Sequence, residues 1–269
     1  MKKTTSLNFT ALCLALGAVL NMSAIAAEPA AKPNADQILR EACAKLAAAK
    51  QFSFKAHREM DPALVPGGET AENAHVALTV ERPDKAMAKS ESKRGERQVY
   101  FDGKTFTLFD AKMNLYATVP MRTSIDGLVD KIDEKYGFTP PLGEFVLSDP
   151  YKEFRRQATT VSFGAEETLH GGFLDMESVD CDRLELTGHG VTTEVWIGTN
   201  DHLMKKLVAT FNDRPGKPQV RIEFSDWNLE AKVTPQEFTF VPPKGAIKIH
   251  MRSTSEMDAP TAKTEAKKN

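Results

Sequence analysis

After Gln51 the chain keeps a period of two, and nothing else in it restricts the fold so tightly. Phe52, Phe54 and Ala56 alternate with Ser53, Lys55 and His57, and Val76, Leu78 and Val80 alternate with Ala77, Thr79 and Glu81. The same beat returns in Phe106 and Leu108, in Leu115, Ala117 and Val119, in Leu184 and Leu186, and in Val195 and Ile197. It continues through Leu207, Ala209 and Phe211, then Val220, Ile222 and Phe224, then Phe238 to Phe240, and Ile247 with Ile249. Neighbouring side chains of a strand point to opposite faces, so this pattern makes strands with one buried and one wetted face. Short polar turns separate the runs: Arg82-Pro83-Asp84, Lys93-Arg94-Gly95, Asp102-Gly103, Asp110 to Met113, Gly188-His189-Gly190 and Asp213 to Pro218. Asp-Gly between two alternating runs is a strong hairpin signal. The reading is a meandering antiparallel sheet of roughly ten strands.

Three segments carry helical spacing instead. In Asn34–Lys50 the cap Asn34, with Gln37 three residues on, precedes Ile38, Leu39, Ala42 and Leu46 on one face. Ser124 caps a second helix with Ile125, Leu128, Val129 and Ile132, ending by Tyr136-Gly137. Asp149 and Pro150 open a short third helix to Gln157. Gly164 to Asp180, with Gly171-Gly172 at its middle, reads as an irregular surface excursion. The fold class is therefore mainly β (α+β): a single curved antiparallel sheet covered by two or three helices. Roughly thirty inward apolar groups on the strands face only roughly ten on the helices. The sheet either fills itself or leaves a hollow, as an incomplete barrel does, and the pattern alone leaves both open.

Residues 1–26 read as a cleavable export signal. Lys2 and Lys3 precede the apolar Phe9 to Leu20, and Ala24-Ile25-Ala26 has the small-x-small form of a cleavage site. That apolar run is shorter than the ~20 residues a membrane-spanning helix takes, so no integral span is expected after processing. Cys13 sits inside it, after Leu12, and is not a lipidation site. Residues 27–33 form a spacer, 34–252 one domain, and 253–269 a polar tail expected to be disordered. Localisation is then periplasmic, in a Gram-negative envelope. A net charge of −2 opposes a nucleic-acid partner and a polybasic membrane-surface role. Cys43 and Cys181 remain after processing; one disulfide and two separate buried thiols are both open readings.

No glycine-rich phosphate loop, nucleophile elbow or metalloprotease motif occurs, so no catalytic residue, metal or cofactor is expected and the chain does not read as an enzyme. The six histidines are scattered, with no pair at ligand spacing. The acidic groups Glu166-Glu167 and Asp130 to Glu134, and the basic pair Arg155-Arg156, are more simply solvated faces than general acids, calcium ligands or a phosphate site. Trp196 and Trp227 read as core before ligand wall.

An ordered set of landmarks carries a family resemblance. It runs Tyr100-Phe101-Asp102-Gly103-Lys104, Thr107-Leu108-Phe109-Asp110 and Asn114-Leu115-Tyr116-Ala117, then the helix after Thr123-Ser124-Ile125 with Tyr136-Gly137 and Pro141-Leu142. It continues with Cys181-Asp182-Arg183-Leu184, Val195-Trp196-Ile197, Lys206-Leu207-Val208, Pro218-Gln219-Val220, Phe224 to Leu229 and Phe238 to Pro243. Over most of the mature chain this resembles the predicted periplasmic proteins of domain of unknown function 2092, related to the LolA/LolB lipoprotein-localisation superfamily. The resemblance implies a LolA-like incomplete β-barrel whose helices lie as a lid over an apolar hollow that receives acyl chains. The Gly164 to Asp180 connection is longer than that pattern leads one to expect, and Arg183 stands where a His is expected.

The expected function is a periplasmic binding or carrier protein for a hydrophobic acyl-bearing ligand, a lipid or lipoprotein chain, with Ser124–Tyr136 as the lid. By alternation and helical spacing the lining is Phe54, Leu78, Phe106, Leu108, Leu115, Leu128, Ile132 and Phe224. The alternative is a non-enzymatic structural or interaction module of the envelope with a filled core and a protein partner. A hydrolase assembled from distant residues is the third.

Overall fold

The computed structural model describes residues 34–258 apart from 66, 69, 139–141 and 172–176; the export signal, the spacer and the last residues of the tail lie outside them. Helix α1 spans Ala35–Ala48 and leads into β1, Gln51–Met60. A meander follows: β2 (Glu72–Glu81), β3 (Lys85–Ser92), β4 (Gly95–Phe101), β5 (Thr105–Asp110) and β6 (Leu115–Pro120). Helices α2 (Ile125–Tyr136) and α3 (Pro150–Gln157) interrupt it. A second meander comprises β7 (Thr160–Gly171), β8 (Glu177–Gly188), β9 (Val191–Gly198), β10 (Met204–Phe211) and β11 (Gln219–Asn228). The described residues end in a two-residue strand β12 (Ile247–Lys248) and a short α4 (Thr254–Asp258).

The twelve strands of the described residues form one sheet, ordered β12-β6-β5-β4-β3-β2-β1-β11-β10-β9-β8-β7. Its outer strands β12 and β7 do not pair, so the curved sheet stays open. Every pairing is antiparallel except β12 on β6. The two meanders join where β1 pairs with β11, with a register shift between Ser53 and Lys55. That seam brings Phe54 to 4.4 Å from the ring of Trp227 and 5.7 Å from that of Phe224.

The helix boundaries follow their caps. Asn34 accepts from the Gln37 N–H at 3.2 Å, Ser124 from Gly127 at 3.3 Å and Asp149 from Lys152 at 2.9 Å. Satisfying these otherwise unpaired donors is worth about 1 kcal/mol each. Gly137 ends α2 at φ 67, where a side chain would be strained. At the β8–β9 turn His189 and Gly190 both have positive φ, the mark of a two-residue hairpin turn of the primed kind.

The inner face of the sheet is covered by the helices. Leu39, Cys43 and Leu46 of α1, Ile125, Leu128 and Ile132 of α2 and Phe154 of α3 join Phe52, Phe54, Phe106, Leu184, Val195 and Phe224 in one buried cluster. Phe145, from the turn between α2 and α3, is fully buried at 4.8 Å from Phe224 and 6.0 Å from Phe154, ring to ring. The outer face carries a small cluster of Cys181, Trp196 and Val208 with Leu169. It also carries Phe240, whose ring lies 5.4, 5.3 and 5.1 Å from Tyr100, Phe109 and Tyr116. Phe240 belongs to a strap, residues 229–249, that follows β11 and crosses to β6.

Two expectations are corrected here, and the open alternative for the cysteines is described. Gly164 to Asp180 is not irregular: where described, it is the long β7–β8 hairpin, whose bulge between Phe163 and Ala165 breaks the alternation. The tail does not lose structure at Ser253, since Thr254–Asp258 is helical and Ser253 is buried. Cys43 and Cys181 are both free; Cys43 lies in the inner core and Cys181 in the outer cluster, with the sheet between them.

Candidate functional site

The hollow expected under α2 is occupied by the chain's own side chains. Of the eight residues predicted to line it, Phe54, Leu78, Phe106, Leu128, Ile132 and Phe224 are all at or below 7 % exposure and belong to the packed cluster. Leu108 is half-buried against that cluster, and Leu115 is half-buried at the β12 edge. Helix α2 therefore covers packed side chains, and its apolar face is core.

Open space lies instead beside α3. A cleft of about 470 Å³ runs between Phe154 and Ala158 and the inner side of β8–β10, where Leu186, Val191, Leu207, Ala209 and Phe211 form its wall. The sheet's alternation puts these residues inward; Leu186 and Leu207 are buried, but the helical layer ends at Ala158 and leaves Val191, Ala209 and Phe211 partly uncovered. Such a volume is within the ~300–1,000 Å³ of small-molecule sites. Glu144 enters this wall from the turn Gly143–Phe145, which follows Leu142 in the left-handed conformation (φ 63). Among the described residues the Glu144 carboxyl makes no ion pair. Burial pushes its pKa above the usual carboxylate range; its own backbone N–H pulls the other way, and Glu153 adds to the rise.

Glu144, Arg156 and Gln157 also line a second cleft, of about 460 Å³, on the far side. There the wall is Asp130, Asp133 and Glu134 of α2 with Glu153 of α3. Arg156 is bound to Glu153 at 2.9 and 2.6 Å, and that contact together with Gln157 draws the Glu153 carboxyl below its ordinary pKa. Arg155 lies 3.7 Å from Asp36. The Arg155-Arg156 pair is thus engaged by carboxylates.

A further cleft of about 580 Å³ lies on the polar side of β1–β3 and β11, lined by Lys55, His57, His75, Lys89, Glu91 and Glu223 among others. His57 and His75 are cross-strand partners with rings stacked 4.8 Å apart. Sequence spacing missed this pair because only the β1–β2 register creates it. Among the described residues no group of three or more His, Cys, Asp or Glu side chains converges as metal ligands. Glu167 is structural: it accepts from Arg183 at 2.6 Å and from the Trp196 indole at 2.8 Å, while Arg183 also reaches Glu194 at 2.6 Å. Trp196 and Trp227 both pack as expected, the latter donating to the Met204 carbonyl at 2.9 Å.

The fold and its site are an open, helix-covered antiparallel sheet with an apolar cleft at the end of its helical layer. The chain belongs to the family of predicted periplasmic proteins designated DUF2092, whose model matches residues 35–252. Among solved structures it is similar to an uncharacterized conserved protein from Thermus thermophilus, at 11 % identity over 81 % of this chain and 99 % of that one, with TM-score 0.48. It is similar to the LolA superfamily protein NE2245 from Nitrosomonas europaea, at 10 % identity over 77 % and 99 % of the two chains, with TM-score 0.36. It is also similar to a chain of the Pseudomonas aeruginosa MucA/MucB complex, at 14 % identity over 78 % of this chain and 62 % of that one, with TM-score 0.42. No curated protein matches the chain. Among the described residues no helix is long and apolar enough to cross a membrane.

Proposed function

We propose that the protein is a periplasmic binding or carrier protein for a hydrophobic, acyl-bearing ligand, a lipid or lipoprotein chain. The observation that carries this reading is the apolar cleft beside α3, open in a molecule whose remaining inner face is filled. Each acyl carbon buried there contributes ~0.8 kcal/mol, so a single chain binds usefully without polar specificity. Entry is then at the α3 end of the sheet, and α2 need not move as a lid. Native mass spectrometry of protein isolated from periplasm should show lipid adducts, and a fluorescent fatty-acid probe should bind. Ala209→Trp, which fills the cleft, should abolish both while leaving the melting temperature within a few degrees. A clean apo mass with no probe binding would overturn the reading.

A second reading is an envelope interaction module. It is favoured by β7, a twelve-residue strand that among the described residues pairs only with β8 and stands at one end of the sheet. Free strand edges accept added strands. Cross-linking in cells should then trap a protein partner that Thr168→Pro, on this edge, no longer captures.

A further inference from the structure

The apolar cleft and the acidic cleft are adjacent, and the wall between them is made by Glu144, Arg156 and Gln157, which line both. One side offers hydrocarbon walls. The other offers Asp130, Asp133, Glu134 and Glu153 with Arg156 as the cation among its lining residues, and Arg156 is already held by Glu153. We propose that the two clefts form one site for a cationic amphiphile, its chain lying along Leu207, Ala209 and Phe211 and its ammonium head meeting Glu144. This rests on the carrier reading and names the chemistry of its ligand.

The argument is one of unmatched charge. Glu144 stands at the junction with no ion-pair partner among the described residues, and burial disfavours its ionised form. A ligand ammonium would supply both a countercharge and hydrogen bonds to it. Charge-assisted hydrogen bonds are roughly twice as strong as neutral ones. An anionic head at the same place would meet the Glu144 carboxyl and the acidic rim beyond it, which costs free energy. A neutral alcohol could satisfy Glu144 but would gain nothing from the acidic rim. Exposed Asp130 and Glu134 act there as a screened, attractive field.

The test compares three probes of equal chain length by calorimetry below their micelle concentrations: dodecylammonium, dodecanoate and dodecanol. Dodecylammonium should bind about tenfold or more tighter than dodecanoate. Glu144→Gln should reduce that preference, weakening dodecylammonium and strengthening dodecanoate. The double variant Asp130→Asn, Glu134→Gln, altered at exposed positions, should reduce the preference without changing dodecanol affinity or the melting temperature. Equal affinities, or a preference for dodecanoate, overturn this inference and leave the carrier reading standing. Binding of none of the three overturns both.

Discussion

At the scale of single residues, the two cysteines show how placement decides chemistry. Burial, with a contribution from Asp149, pushes the Cys43 thiol up to about 12, and burial raises Cys181 to about 11. The thiolate is the reactive form, so both side chains are inert at neutral pH. With the sheet between them they have no path to a bridge. In the folded protein neither should react with Ellman's reagent at pH 8, and guanidinium should release both. Finding no free thiol in unfolded protein isolated from periplasm would show a bridge instead. The sign of the linked pH effect is fixed too. A thiol held neutral in the fold but free to ionise near 9.0 when unfolded stabilises fully below that value, and the contribution falls as pH rises from 9.0 toward about 12. Cys43→Ala should flatten that part of the stability curve.

At the scale of elements, the strap and its end piece are held by few contacts, each identifiable. Phe240 sits among three aromatic rings, β12 adds to β6, and Thr254 reaches the Lys135 carbonyl at 3.4 Å. Glu256 closes the last turn: it accepts from the Ser253 N–H at 2.7 Å and lies 3.0 Å from His250. The Ser253 N–H, then His250 and the Ser253 hydroxyl, hold its carboxyl down to about 2 from an ordinary 4.5. A depressed carboxylate contributes above its unfolded value, and the contribution is lost as pH falls through about 2. The Ser253 amide proton resonance should therefore titrate with a midpoint near 2, and Glu256→Gln should abolish that titration; a midpoint near 4.5 would mean the cap is not formed. This element was readable as Ser253-x-x-Glu256, a capping-box pattern, but its short polar run looked like a tail. Other misses have comparable causes. Strand β3 places Ala86, Ala88 and Ser90 toward the core side, too small to register as an apolar alternation. In β7 the bulge after Phe163 puts two correct alternations out of phase. Helices α1, α2 and α3 were legible to within a residue or two because their caps and apolar stripes agree.

At the scale of the whole molecule, the period of two identified the inward face but not what fills it. Phe145 and Val146, in the connection after Pro140-Pro141, supply core from a segment with no periodicity at all, and both are buried. The open cleft is set by where α3 stops, which no single strand encodes. The same filling decides how the molecule should unfold. The two meanders are consecutive in sequence and would be separable but for the β1–β11 seam. Across that seam one cluster draws Leu78 and Phe106 from the first meander and Leu184, Val195 and Leu207 from the second, with Phe145 packed on Phe54 and Phe224 on its two sides. Exposing either half would strand the apolar face of the other, so the halves should unfold together although the chain is long enough for intermediates to be common. The two tryptophans make this measurable. Trp196 reports from the outer face of β9, Trp227 from the seam beside Phe54. In Trp227→Phe and Trp196→Phe, each with a single reporter, denaturant transitions followed by fluorescence should superimpose on those followed by circular dichroism once their midpoints are aligned. A Trp196 signal that changes while the seam reporter stays native would show that β7–β10 come away as a unit, and that the seam joins two cores instead of running through one.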